Sequence, residues 1–78
     1  MESTIAQSLD TKGLTCPIPI LRAKKAIVAL DTGAVLEVLA TDPGAVKDFE
    51  AFSRATGHEL LESTEDGGVF RFLIKKSS

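Results

Sequence analysis

The sequence predicts an α/β (α+β) domain of βαβαββ order: a two-layer sandwich with two helices on one face of a four-stranded mixed sheet. Three observations carry this prediction. Two stretches have helical apolar spacing, and each is opened by a proline turn; period-2 stretches precede and separate them; and Glu65-Asp66-Gly67-Gly68 is a hairpin signal between two final strand-like runs. With only two helices, one sheet face is covered and the other stays partly wet.

The first strand is expected over Thr4 to Asp10, where Ile5, Gln7 and Leu9 alternate with Ala6, Ser8 and Asp10. Asp10-Thr11-Lys12-Gly13 reads as a turn, with Gly13 suited to positive φ. From Pro17 to Leu30 a helix is expected, with Ile20, Ala23, Ile27 and Leu30 on its buried face, widened by Leu21 and Val28. Lys24 lies at the edge of that face, where its stem would snorkel over the core or flank a docking surface.

Asp31-Thr32-Gly33 ends this helix, with Gly33 suited to an αL cap, and Ala34 to Thr41 reads as the second strand with Leu36, Val38 and Ala40 toward the helices. The second helix opens with Asp42 as N-cap and Pro43 at the first helical position. It buries Ala45, Val46, Phe49 and Phe52, keeps Lys47, Asp48, Glu50 and Arg54 wet, and ends at Gly57. His58 to Thr64 and Val69 to Lys75 are the hairpin strands, with Phe70, Phe72 and Ile74 on one face. Val35, Glu37, Leu39, Leu61, Val69 and Leu73 fall on the other face and leave it rather apolar, a possible contact surface. Lys76-Ser77-Ser78 reads as a frayed tail.

Composition narrows the function classes. Seventy-eight residues fit one domain, 1–78, with a single core. An apolar content of 44% argues against disorder, and no apolar run approaches the roughly 20 residues of a membrane span, so a soluble chain is expected. No basic segment followed by an apolar stretch opens the chain, and one cysteine cannot staple it, so the reading is cytoplasmic. A net charge of −2 gives no global reason for nucleic-acid affinity, although Lys12, Arg22, Lys24 and Lys25 make a local basic patch.

The chemistry centres on Gly13-Leu14-Thr15-Cys16-Pro17-Ile18-Pro19-Ile20-Leu21, which holds the only cysteine. A residue before proline is steered from αR toward the extended backbone of an N-cap, so Cys16 is expected to cap the helix with Pro17 at its first position. Neither Pro17 nor Pro19 can donate, which leaves the Ile18 N–H as the free amide over which the sulfur would sit. There the helix dipole, with help from Lys12, Arg22, Lys24 and Lys25, would depress the thiol pKa below its ordinary value of about 8.5.

His58 is the only imidazole, but it follows the second helix, and a Cys-His hydrolase also needs an oxyanion hole and a cleft. One Cys and one His do not make a zinc site of usual composition, and no phosphate loop matches, so no metal or other cofactor is expected. What remains is the chemistry of a bare thiolate: exchange, or carriage of sulfur as a persulfide, with a second protein's cysteine as donor or acceptor. Ile18, held between two prolines beside the sulfur, reads as part of a docking surface.

The run Leu9 to Ala26, with its Cys16-Pro17-Ile18-Pro19 core, resembles the signature of the TusA/SirA family of small sulfur carriers. The likeness continues through Val38 to Ala45, Asp48-Phe49, Phe52, Gly57-His58-Glu59-Leu60 and Phe70 to Lys75, almost the whole chain. This resemblance implies the βαβαββ fold and a persulfide on Cys16. It implies a cysteine desulfurase or rhodanese-like donor and a sulfur-relay acceptor, serving tRNA thiolation, molybdenum-cofactor supply or sulfur oxidation. The carrier would then be a co-substrate rather than a stand-alone enzyme, a monomer or weak dimer. Asp42 and Lys24 become candidates for partner contact near the cysteine. Many relatives carry a second cysteine where this chain has Ser53, so an intramolecular disulfide is impossible here.

The alternative from another class is a non-catalytic RNA- or protein-binding regulatory module. The basic cluster and a resemblance of the fold to the RNA-binding domain of a translation initiation factor support it. The acidic net charge and the lack of Tyr or Trp for base stacking oppose it, so direct nucleic-acid binding is not expected.

Overall fold

The computed structural model describes residues 5–77, with six elements in the expected order. They are β1 (Ile5–Thr11), α1 (Ile18–Val28), β2 (Val35–Ala40), α2 (Ala45–Thr56), β3 (Glu59–Asp66) and β4 (Val69–Lys75). The strands form one mixed sheet in the order β1-β2-β4-β3, parallel between β1 and β2 and antiparallel elsewhere.

The two-layer arrangement follows from the alternation of buried residues. Leu36, Val38 and Ala40 of β2 and Phe72 and Ile74 of β4 point to one face and are fully buried. Ile20, Ala23 and Ile27 of α1 and Phe49 and Phe52 of α2 close over them in one apolar cluster. Phe49 stacks on Phe72 with ring centroids 4.5 Å apart, joining α2 to the middle of the sheet.

The parallel β1–β2 pair positions the site. Two parallel neighbours need a crossover, which α1 supplies, and their C-terminal ends then lie side by side, Thr11 opposite Ala40. The loops that follow, one with Cys16 and one with Asp42, therefore leave the same end of the sheet. Thr11, buried and polar, donates from Oγ1 to the Leu39 carbonyl at 2.5 Å and fastens the two strand ends together.

Several expected boundaries move. β1 extends through Thr11, which belongs to the strand rather than the turn, and Thr4 lies outside the described residues. Leu21 and Val28 do not widen the buried face of α1; they are 51% and 76% exposed, because α1 contacts the sheet only through its narrower Ile20–Ala23–Ile27 stripe. The helix ends on Ala29 in αR geometry. Gly33, at φ +91°, instead turns the chain into β2, its N–H donating to Lys76 O at 2.7 Å.

Lys76 is not frayed, since its Nζ donates to the carbonyls of Val28 and Leu30 at 3.2 and 2.6 Å and so caps the C-terminal end of α1. The second helix starts at Ala45, not Pro43, after a tight turn closed by Ala45 N–H to Asp42 O at 3.0 Å. Gly57 ends it in the left-handed region, φ +82°, as expected. β3 begins at Glu59 and runs to Asp66, leaving only Gly67-Gly68, both at positive φ, as the hairpin turn.

The outer sheet face is only partly apolar. Val35 is buried there, Leu39, Val69 and Leu73 are half-buried, and Leu61 is exposed. Arg71 crosses the face, its guanidinium 2.6 Å from Glu37 and 2.8 Å from Glu62, while Ser8 donates to Glu37 at 2.7 Å.

Candidate functional site

The sulfur loop is built by short local bonds. The Asp10 carboxylate accepts from the Lys12 N–H at 3.1 Å and pairs with Lys12 Nζ at 3.0 Å. Gly13 takes φ +84°, as expected, and its N–H donates to Thr41 Oγ1 at 2.9 Å, which ties this loop to the one after β2. The Cys16–Pro17 peptide is cis.

Cys16 does not cap α1. Pro17 occupies the N-cap place, the helix begins at Ile18, and Pro19 sits buried in the first turn where its missing donor costs nothing. The Ile18 N–H is not free either, because it donates to Thr15 O at 2.8 Å. With that amide satisfied, the sulfur turns to the neighbouring helix. Cys16 Sγ donates to Asp48 Oδ2 at 2.6 Å, and the Cys16 N–H donates to the Asp42 carboxylate.

Asp42 also accepts from the Gly44 N–H at 3.1 Å, a local bond that shapes the turn before α2. It is therefore not the N-cap, a place held by Gly44. The loops approach closely here: a Cβ at Gly44 would lie 3.6 Å from Cys16 Cβ.

The electrostatics reverse the expected sign. The hydrogen bond to Asp48 holds the exposed Cys16 thiol above its ordinary range, with desolvation and the charges of Asp48 and Asp42 acting in the same direction. A helix N-terminus offers about half an elementary charge. Here a full carboxylate charge lies in contact with the sulfur, a second lies next to it, and both favour the protonated thiol. Lys12 is engaged by Asp10 and does not offset them.

The other expected residues separate into two flanks. Lys24 lines an open groove of about 330 Å³ between α1 and α2, with Pro17, Ile20 and Asp48 at the sulfur end and Phe52 and Thr56 beyond. Arg22 faces the other way, beside Gln7, Leu9, Lys25 and Ala26 on the β1 side of the helix. Ile18 and Leu21 are exposed apolar residues of α1, Ile18 to 37% and two residues beyond Cys16 in the chain.

Helical spacing puts Asp48 on the wet face of α2, yet it is half-buried and in contact with Cys16. The sequence contained a signal for it. Proline turns follow two strands that a single crossover makes parallel, so the first turn of the second helix had to lie near the cysteine loop.

His58 is at the far end. It precedes Glu59, which pairs with Lys75, whereas the site lies beyond Ala40 and its partner Phe70. Its Nδ1 accepts from the Ser77 N–H at 3.1 Å and its ring tilts onto Phe52, so its role is structural. Among the described residues no group of three or more Cys, His, Asp or Glu side chains could hold a metal ion, and no helix is long and apolar enough to cross a membrane.

Comparison with known proteins identifies the family. The family model described as sulfurtransferase TusA matches residues 7–76. The sulfur carrier protein TusA of Allochromatium vinosum is 65% identical over 71 residues, 91% of this chain and 93% of that protein. The protein of the same name from Pseudomonas putida is 40% identical over 70 residues, 90% and 88% of the two chains. Among solved structures, a SirA-like protein from Desulfitobacterium hafniense superposes with a TM-score of 0.81 at 30% identity, covering 92% of this chain and 99% of that one.

Proposed function

Since the chain belongs to the TusA family of sulfur carriers, we propose that Cys16 is its working residue, accepting sulfane sulfur as a persulfide from one protein and delivering it to another. The carrying observation is the placement of the sulfur. Cys16 is the only cysteine, it is exposed at the sheet end where two loops meet, and the bond from its N–H to the Asp42 carboxylate holds it there. A partner's cysteine can reach it without unfolding anything.

Loading joins Cys16 Sγ to the outer sulfur of the donor persulfide and breaks the donor's S–S bond, whose inner sulfur leaves as a thiolate. Delivery is the same displacement with the roles exchanged. Neither step changes the number of sulfane atoms, so no external oxidant is consumed. The whole chain serves as one carrier unit in the cytoplasm, a co-substrate for donor and acceptor proteins. A cysteine desulfurase or a rhodanese-like protein fits the donor role, and a relay protein feeding tRNA thiolation, molybdenum-cofactor assembly or sulfur oxidation fits the acceptor role.

Exposed Ile18 and Leu21 at the start of α1 supply the apolar contact for these partners, and Lys24 and Asp42 the polar one. The carboxylates of Asp42 and Asp48 at the same place disfavour a nucleic-acid phosphate. The test is to incubate the chain with a cysteine desulfurase and cysteine and follow Cys16 by thiol-specific gel shift. A reducible label on the wild type and none on Cys16→Ser supports the proposal; equal labelling of both overturns it.

A further inference from the structure

We propose that Asp48 is a restraining residue: its carboxylate accepts a hydrogen bond from the Cys16 thiol and pins the sulfur of the free carrier against α2, which keeps it inert until a donor engages it. This deepens the carrier reading and rests on it. The geometry comes from two independent bonds at one residue. Asp42 fixes the Cys16 backbone from the turn before α2, and Asp48 then takes the side chain at 2.6 Å, so the thiol is directed at a carboxylate rather than at a helix amide.

The charged groups around the sulfur are Asp42, Asp48 and, across the groove on α1, Lys24. The two carboxylates are the ones acting on the thiol, and both favour its protonated form. A thiol held protonated is a poor target for adventitious electrophiles and oxidants, because the thiolate is the reactive species. The cost is slow reaction with any sulfur source that does not disturb the Asp48 contact.

Inorganic polysulfide is a suitable probe because it loads sulfur without docking. In that reaction Cys16 Sγ bonds to a sulfane atom and one polysulfide S–S bond breaks. The shortened polysulfide leaves with the electron pair and takes up the thiol proton, and Cys16 is left as a persulfide anion. No oxidant or reductant enters.

The experiment compares wild type, D48N, D48E and E50Q by iodoacetamide alkylation across pH and by polysulfide loading read by mass. Asp48→Asn keeps the shape but cannot act as an anion. A downward shift of about one pH unit in the alkylation midpoint gives about tenfold more thiolate, reduced to about threefold in rate at pH 7 by the lower nucleophilicity of the more acidic thiol. The expected result is that rise in both alkylation and polysulfide loading for D48N, with D48E within about twofold of wild type because it keeps a carboxylate at the sulfur.

E50Q removes the same charge from an exposed place on α2 and should match wild type; an equal rise there would assign the effect to net charge and overturn the proposal. So would an unchanged or higher midpoint in D48N, or a D48E that behaves as D48N. If the alkylation shift appears while neither wild type nor D48N gains sulfur, the restraint stands and the carrier reading fails.

Discussion

The backbone N–H of Cys16 donates to the carboxylate of Asp42, so the sulfur loop is tied to the turn that leads into α2. The same carboxylate holds the Gly44 N–H, and its removal leaves two amides without their acceptor. Asp42→Ala should cost about 1–3 kcal/mol. At about 4–8 °C per kcal/mol for a domain of this size, Tm falls by about 4 °C or more in a calorimetric scan. Sulfur loading should slow as well, and a variant with wild-type Tm and loading would show the tie to be idle.

Phe49 and Phe72 carry the contact between α2 and the sheet, both fully buried and stacked. Phe49→Ala removes that ring and leaves a cavity, a change that costs about 3–5 kcal/mol in other cores. Small domains hold about 5–15 kcal/mol in all. A urea titration should therefore show a large drop in midpoint, or no folding transition at all.

Stability should depend on Glu37 in acid. Its pKa is lowered by the hydrogen bond from Arg71, with a further contribution from Ser8. A depressed folded pKa means that the stabilisation is complete above the unfolded glutamate value of about 4.3 and is lost as pH falls through the folded value. The pair is partly solvated, so the effect is small, about 1 kcal/mol or less. Glu37→Gln should flatten the loss of Tm below about pH 4.3 relative to wild type, and an unaltered acid limb would contradict the assignment.

Ile18 is an apolar residue at the surface with no role in the core. Ile18→Asp should leave Tm within about 4 °C, since surface changes usually stay within about 0.5 kcal/mol. It should slow loading from a protein donor several-fold while leaving polysulfide loading unchanged. Equal slowing of both would point to damage at the sulfur rather than to docking.

The fold was legible because apolar period and turn chemistry agreed along the chain. Leu36, Val38, Ala40, Phe72 and Ile74 all face inward as their alternation implies, and Gly13 and Gly57 take positive φ where turns require it. Leu21 and Val28 misled because a helix on a four-stranded sheet buries a narrower stripe than helical spacing suggests. The environment of Cys16 was the harder part. A local reading sees a thiol, two prolines and a helix start, and so expects a dipole-stabilised anion. The deciding groups, Asp42 and Asp48, are 26 and 32 residues away in the chain, and only the parallel β1–β2 pairing brings them to the sulfur. Lys76 likewise caps the end of α1 at Val28 from 48 residues away.

Sulfur carriage on Cys16 is read most simply from the intact mass of the protein after incubation with a sulfane-sulfur donor and removal of the excess. The expected result is a species heavier by one sulfur atom, lost on reduction and absent from Cys16→Ser. An unchanged mass for the wild type, or the same gain in Cys16→Ser, would contradict it.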